Sequence, residues 1–169
     1  MTRARLQRIA QTIATKCPGI SARQASRALA RIYDEALRPL GLQSSQLSVL
    51  VAVVMHGEQG ASIGQLADAL VMERTTVTRN LRPLERAGLL HIARSGRDAR
   101  ARVVLLTSAG ERILNRAYPL WESATRRITD SVGRQQIAHL HSRLASLVTK
   151  AEAARLGRRG KSLRAPNKR

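Results

Sequence analysis

The residues with chemistry to offer in this chain are arginines and threonines. Residues 72–102 hold eight arginines against three acids. Within them, Arg74, Thr75, Thr78, Arg79 and Arg82 fall on one side of a helical pattern, and Val77, Leu81, Leu84 and Leu89 on the other. An arginine presented from a helix donates in a fork that fits guanine O6 and N7. A threonine offers a methyl to thymine or a hydroxyl to phosphate. Beyond this pattern, Arg97, Asp98 and Arg100 stand in a turn-rich run, 95–101. An arginine at the tip of such a loop can enter a minor groove. The chemistry implied is charge-assisted hydrogen bonding to a duplex polyanion.

The charge distribution agrees. The chain of 169 residues carries a formal charge of +19. Residues 1–19 hold four bases and no acid, and residues 155–169 hold seven bases and no acid. The body between them has nineteen bases against all eleven acids, and most of that excess lies in 72–102. Arginine-rich tails are compatible with solubility alone, but clustering on one element is the footprint of a polyanion binder.

Other residue types narrow the class. Tyr33, Tyr118 and Trp121 are the only aromatics, and there is no Phe. Single-strand and RNA readers stack bases on aromatic rings, so duplex DNA fits better. One cysteine, Cys17, gives neither a disulfide framework nor a multi-cysteine zinc site. His139 and His141 lie two apart on a helical pattern and make a poor metal pair. No phosphate-cradling glycine loop, zinc-protease helix or nucleophile elbow occurs, so neither an enzyme nor a cofactor is expected. No apolar run reaches the ~20 residues of a membrane span, and no signal-peptide core opens the chain. A cytoplasmic, nucleoid-associated protein is the expectation, with no membrane partner.

The elements that must position these residues follow from periodicity. Residues 1–16 fit a basic amphipathic helix (Leu6, Ile9, Ala10, Ile13) but read rather as an arm, broken by Pro18-Gly19. A helix is expected from Ser21 to about Pro39. Another, from Gln46 to about Met55 with Ser44 or Ser45 as cap, is so apolar that burial on several sides is expected. A short helix over 62–70 has Ser62 as N-cap. A longer one over 73–87 ends at Gly88 in a left-handed C-cap. Residues 89–94 and 102–107 read as two strands of a hairpin. Thr107 or Ser108 caps a long helix that Pro119 should bend. A last helix carries Ile137, Leu140, Leu144, Leu147 and Val148, and 155–169 read as disordered. The fold class is mainly α with a small β-hairpin wing, a winged helix-turn-helix. The layout is an arm (1–19), dimerisation helices (20–43 and 107–154), a DNA-binding domain (44–106) and a basic tail. Apolar helices at both ends of the chain imply a homodimer that covers them.

Several segments in this order resemble the MarR family of bacterial transcriptional regulators. They are Tyr33-Asp34-Glu35-Ala36-Leu37-Arg38-Pro39-Leu40-Gly41-Leu42 with Gln46, Ile63-Gly64-Gln65-Leu66-Ala67, Arg74-Thr75-Thr76-Val77-Thr78-Arg79-Asn80-Leu81, Leu84-Glu85-Arg86-Ala87-Gly88-Leu89, Arg97-Asp98-Ala99-Arg100, and Leu106-Thr107-Ser108-Ala109-Gly110. The resemblance spans about 21–150. It implies a homodimer that usually represses nearby genes from a palindromic operator. Release follows binding of a small aromatic or phenolic acid, or oxidation of a cysteine. It places Arg74, Thr75, Thr76, Thr78 and Arg79 on the recognition helix, Ser62 and Gln65 on the positioning helix, and Arg97, Asp98 and Arg100 in the wing. Ser95 stands where the family often has Asp, which weakens salt bridging inside the wing.

For sensing, the resemblance implies an effector pocket between the dimer helices and the reader. Arg23, Arg27 and His56 are the polar groups expected there, with Tyr33 or Trp121 as an aromatic wall. An arginine would pair bidentately with an aromatic carboxylate. The alternative sensor is Cys17, next to Lys16 and a helix start that favour a thiolate. Another alternative is a nonspecific nucleoid-type protein whose tails carry the binding.

Overall fold

The computed structural model describes residues 2–94 and 102–162, and for 156–162 the backbone alone. The elements run α1 (Arg3–Lys16), α2 (Pro18–Leu37), a 3-10 turn (Arg38–Leu40), α3 (Ser44–Met55), β1 (Ala61–Ser62), α4 (Ile63–Ala69), α5 (Arg74–Arg86), β2 (Leu90–Arg94), β3 (Arg102–Leu106), α6 (Ser108–Val132) and α7 (Arg134–Ser162). Two compact units divide the described chain near Ala124.

The core of the first unit gathers around α3, α4 and α5. Val49, Leu50, Leu66, Val77, Leu81, Leu84 and Val104 are each at most 1 % exposed, as the helical periodicity of α5 requires. A three-stranded antiparallel sheet in the order β1-β3-β2 closes one side. The hairpin pairs Leu90 with Leu106 through to Arg94 with Arg102, within the two runs expected as strands. Gly88 has φ +69, and Leu89 N–H reaches back to the Leu84 carbonyl (2.9 Å), which makes it the expected left-handed cap. Residues 95–101, the tip of the wing with Arg97, Asp98 and Arg100, lie outside the described residues.

Several elements differ from expectation. Residues 3–16 form a helix rather than an arm, although none of α1 is buried. Pro18 does not merely interrupt. It occupies the first position of α2, where its missing N–H and fixed φ cost nothing, so α2 starts before Ser21. The cap of α3 is Gln43, not Ser44 or Ser45. Its backbone N–H donates to the Gln46 side chain (2.8 Å), while Ser44 N–H is taken by Asp34 (2.6 Å). Burial of α3 is one-sided, since Val51, Val54 and Met55 are 46, 48 and 80 % exposed. A third strand, β1, pairs Ala61 with Val104 and Ser62 with Val103. The helix α6 runs through Pro119 without a break, which a bend there allows.

In the second unit, α7 runs to Ser162, into the stretch expected to be disordered. Ala151, Ala153 and Ala154 favour helix, and Glu152 pairs with Arg155 one turn on (3.6 Å). Leu140, Leu144, Leu147 and Val148 on α7 are all more than 40 % exposed. Among the described residues, no single helix is long and apolar enough to cross a membrane, though α2 with its 3-10 turn and α3 pass that test as a pair bent by 80°.

Candidate nucleic-acid interface

Helix α5 presents two unlike faces. Val77, Leu81 and Leu84 anchor it in the core, each worth roughly 1.5–3 kcal/mol of burial. Arg74, Thr75, Arg79 and Arg82 are exposed, and Thr76 and Thr78 are half-buried beside them. Among the described residues, none of these three arginines makes an ion pair. Their guanidinium groups thus keep all their donors for a ligand. Thr78 is different: its hydroxyl donates to the Arg74 carbonyl (2.9 Å). With the proton engaged inside the helix, the methyl and the oxygen lone pairs remain for contact.

The helix before it is held by a reciprocal cap. Ser62 Oγ accepts from Gln65 N–H (3.2 Å), and Gln65 Oε1 accepts from Ser62 N–H (2.8 Å). Both residues were expected to touch phosphate. Their oxygens are instead committed to the cap, which leaves the Gln65 amide NH2 and the Ser62 hydroxyl proton as donors.

The turn between α4 and α5 contains a feature the sequence concealed. Val71 has φ +52, the only positive φ at a non-glycine among the described residues. Met72 N–H donates to the Ala67 carbonyl (2.8 Å) and Val71 N–H to the Asp68 carbonyl (3.2 Å), the pair of hydrogen bonds that ends a helix in a left-handed residue. A β-branched residue there is strained. Partial burial of Met72 against the core holds the turn.

The wing is joined to α6 by Thr107. Its hydroxyl donates to the Gly88 carbonyl (2.6 Å) and accepts from Gly110 N–H (3.1 Å), while its own N–H meets the Leu89 carbonyl (3.1 Å). This cap ties the end of the recognition helix, the start of the hairpin and the start of α6 to one residue. It fulfils the expectation that Thr107 or Ser108 caps α6.

The residues expected to sense are only partly brought together. His56 and Trp121 line one cavity of about 560 Å³ with Ser48, Met55 and Leu70. An adjoining apolar cavity of about 270 Å³ shares Leu47, Val51 and Trp121 with it and adds Tyr118. Tyr118 and Trp121 stand 6.0 Å apart at 35°. His56 Nδ1 lies 2.8 Å from the Ala52 carbonyl. A carbonyl only accepts, so Nδ1 carries a proton, and in the neutral tautomer that this selects, Nε2 is an acceptor. Arg23, Arg27 and Tyr33 line neither cavity. They share α2 with one another, but helical spacing fixes a face and not a distance. Cys17 is half-buried at the junction of α1 and α2.

Comparison with known proteins agrees with this geometry. A model of the MarR family matches residues 40–101. YwoH of Bacillus subtilis (strain 168), an uncharacterised HTH-type transcriptional regulator, is 36% identical over 89 residues, 53% of this chain and 63% of YwoH. The match therefore spans a little under two thirds of that relative. Among solved structures, the M. tuberculosis transcriptional regulator MosR has TM-score 0.71 at 34% identity, over 83% of this chain and 98% of that one. The same regulator in complex with DNA gives 0.68 at 36%, over 83% and 99%. The transcriptional repressor CouR bound to a 23-mer DNA duplex gives 0.71 at 26%, over 80% and 95%.

Proposed function

Because this chain belongs to the MarR family of DNA-binding transcriptional regulators, we propose that it represses genes as a homodimer on a palindromic operator and is released by a small aromatic or phenolic effector. The observation that carries the DNA reading is α5, whose exposed Arg74, Arg79 and Arg82 make no ion pair among the described residues while its other face is fixed in the core. In this reading Arg79 and Thr75 approach base edges, and Arg74 and Thr76 approach the backbone. Thr78, its proton engaged, offers a methyl to thymine. Ser62 and Gln65 donate to phosphates from the cap they build. In the same reading Arg97 or Arg100 enters the minor groove, and Asp98 orients an arginine by ion pairing.

Dimerisation is supported by apolar side chains that the chain leaves open. On α1 these are Leu6, Ile9 and Ile13, 42–53 % exposed, and on α7 they recur at the spacing of one helical face. Surface of this kind is covered in a stable assembly. The dimerisation helices lie in 20–43 and 107–154, with α1 added to them. Two readers related by a two-fold axis match half-sites about one helical turn apart.

For the effector, the cavities beside Trp121 favour a phenol over a carboxylate. Two aromatic rings and apolar side chains form their walls, and His56 Nε2 accepts a hydroxyl proton, whereas among the described residues no arginine lines either cavity. Trp121 is the chain's one tryptophan, so its fluorescence reports this site. Titrating purified protein with a panel of phenols and aromatic acids should quench it and weaken binding to a duplex selected from genomic DNA. A full panel that changes neither refutes the effector assignment. Cys17 has less support as a sensor, because there is no second cysteine to resolve an oxidised thiol.

A further inference from the structure

Gly64 stands at the second position of α4, inside the helix, and is not among the glycines with positive φ. Its backbone therefore does not require glycine, and alanine there would favour the helix by about 1 kcal/mol. What the position does require is an absent side chain. A Cβ on Gly64 would stand 3.2 Å from Arg74 Nη2, 3.6 Å from Cζ and 3.8 Å from Nε. Three guanidinium atoms thus lie over the bare Cα, across the turn that joins the two helices. Among the described residues Arg74 makes no hydrogen bond or ion pair through its side chain, so no polar partner competes with this seat.

We propose that Gly64 is a positioning residue for DNA recognition: its bare Cα seats the Arg74 guanidinium against α4, and any side chain there lifts the group out of register with the duplex. The inference rests on Arg74 contacting DNA. An arginine held against a helix surface loses less freedom on binding than one swinging in water. Its fork is also aimed before contact, which a backbone-anchoring role needs. A Cβ at Gly64 touches only the far end of a flexible side chain, so the protein tolerates it. The DNA contact does not.

The test uses the full chain and a duplex selected by wild-type protein from a randomised library. Arg74→Ala should weaken binding about tenfold and flatten the salt dependence by about one unit of slope. Gly64→Ala should weaken it about threefold and Gly64→Gln about tenfold, as bulk over the same spot grows. In the Arg74→Ala background neither change at Gly64 should weaken binding further, and the melting temperature of Gly64→Ala should equal or exceed that of wild type. A structural role alone would lower melting and affinity together. Losses at Gly64 that persist undiminished without Arg74, or wild-type binding by Gly64→Gln, overturn the proposal. Wild-type binding by Arg74→Ala overturns the Arg74 contact itself, which separates the two failures.

Discussion

Replacing Gly110 by alanine tests the joint between the reader and α6. Within a helix this exchange ordinarily stabilises by about 1 kcal/mol. Here it should do the opposite. Gly110 is buried, and a Cβ on it would overlap the Leu89 carbonyl oxygen and lie 2.6 Å from Leu106 Cδ1. Leu106 can change rotamer, but the Leu89 carbonyl cannot retreat freely. It accepts from Thr107 N–H, and Thr107 in turn holds Gly88 and Gly110. Overpacking of this kind costs about 1–3 kcal/mol and more where backbone must move. After the helix gain is set against a cost at the upper end, a net loss of about 2 kcal/mol is expected. For a chain of this size that lowers the melting temperature by roughly 4–8 °C. Thermal unfolding at fixed protomer concentration, followed by circular dichroism, measures it. Melting of Gly110→Ala at or above the wild-type temperature refutes the close packing, and with it the rigid link from α5 through Thr107 to α6.

Val71→Gly should stabilise by about 1 kcal/mol, because relief of the left-handed strain outweighs the added freedom of the unfolded chain. Chemical denaturation gives the value, and a loss of stability would show that the turn is not strained. Leu81→Ala removes a side chain 1 % exposed in the core and should cost about 2–5 kcal/mol by the same measurement. A cost under 1 kcal/mol contradicts the docking of α5. Ending the chain after Ser162 removes three bases from the sequence. Binding to a selected duplex should keep its preference over a scrambled one while its salt dependence flattens by at most about three units of slope. Loss of that preference would favour an architectural binder whose tail carries the affinity.

The sequence was most legible where one physical signal dominated. The two faces of α5 follow from Val77, Leu81 and Leu84 recurring at helical spacing, and Gly88 ends that helix where a left-handed cap was needed. The hairpin follows from two apolar runs around a turn-rich basic loop. What stayed hidden depended on tertiary context. The strand β1 is two residues long, too short to show alternation, and exists because β3 offers a free edge to Ala61 and Ser62. Val71 carries no turn signal, since β-branched residues avoid positive φ, so only the bonds around it reveal the cap. Pro18 signals both a break and a helix start, and the second meaning applies. The effector site was the least legible part. His56 and Trp121 meet at a cavity, but Arg23, Arg27 and Tyr33 do not join them, because sequence spacing along α2 says nothing of what lies across from it.

The central claim is that α5 reads duplex DNA with its exposed arginines. Fluorescence anisotropy of wild-type protein and Arg79→Ala on the selected duplex and on a scrambled one tests it most directly. Arg79→Ala should lose about ten- to a hundredfold in affinity for the selected duplex and most of its preference over the scrambled one, with an unchanged melting temperature. Full affinity and full preference in Arg79→Ala would contradict the claim.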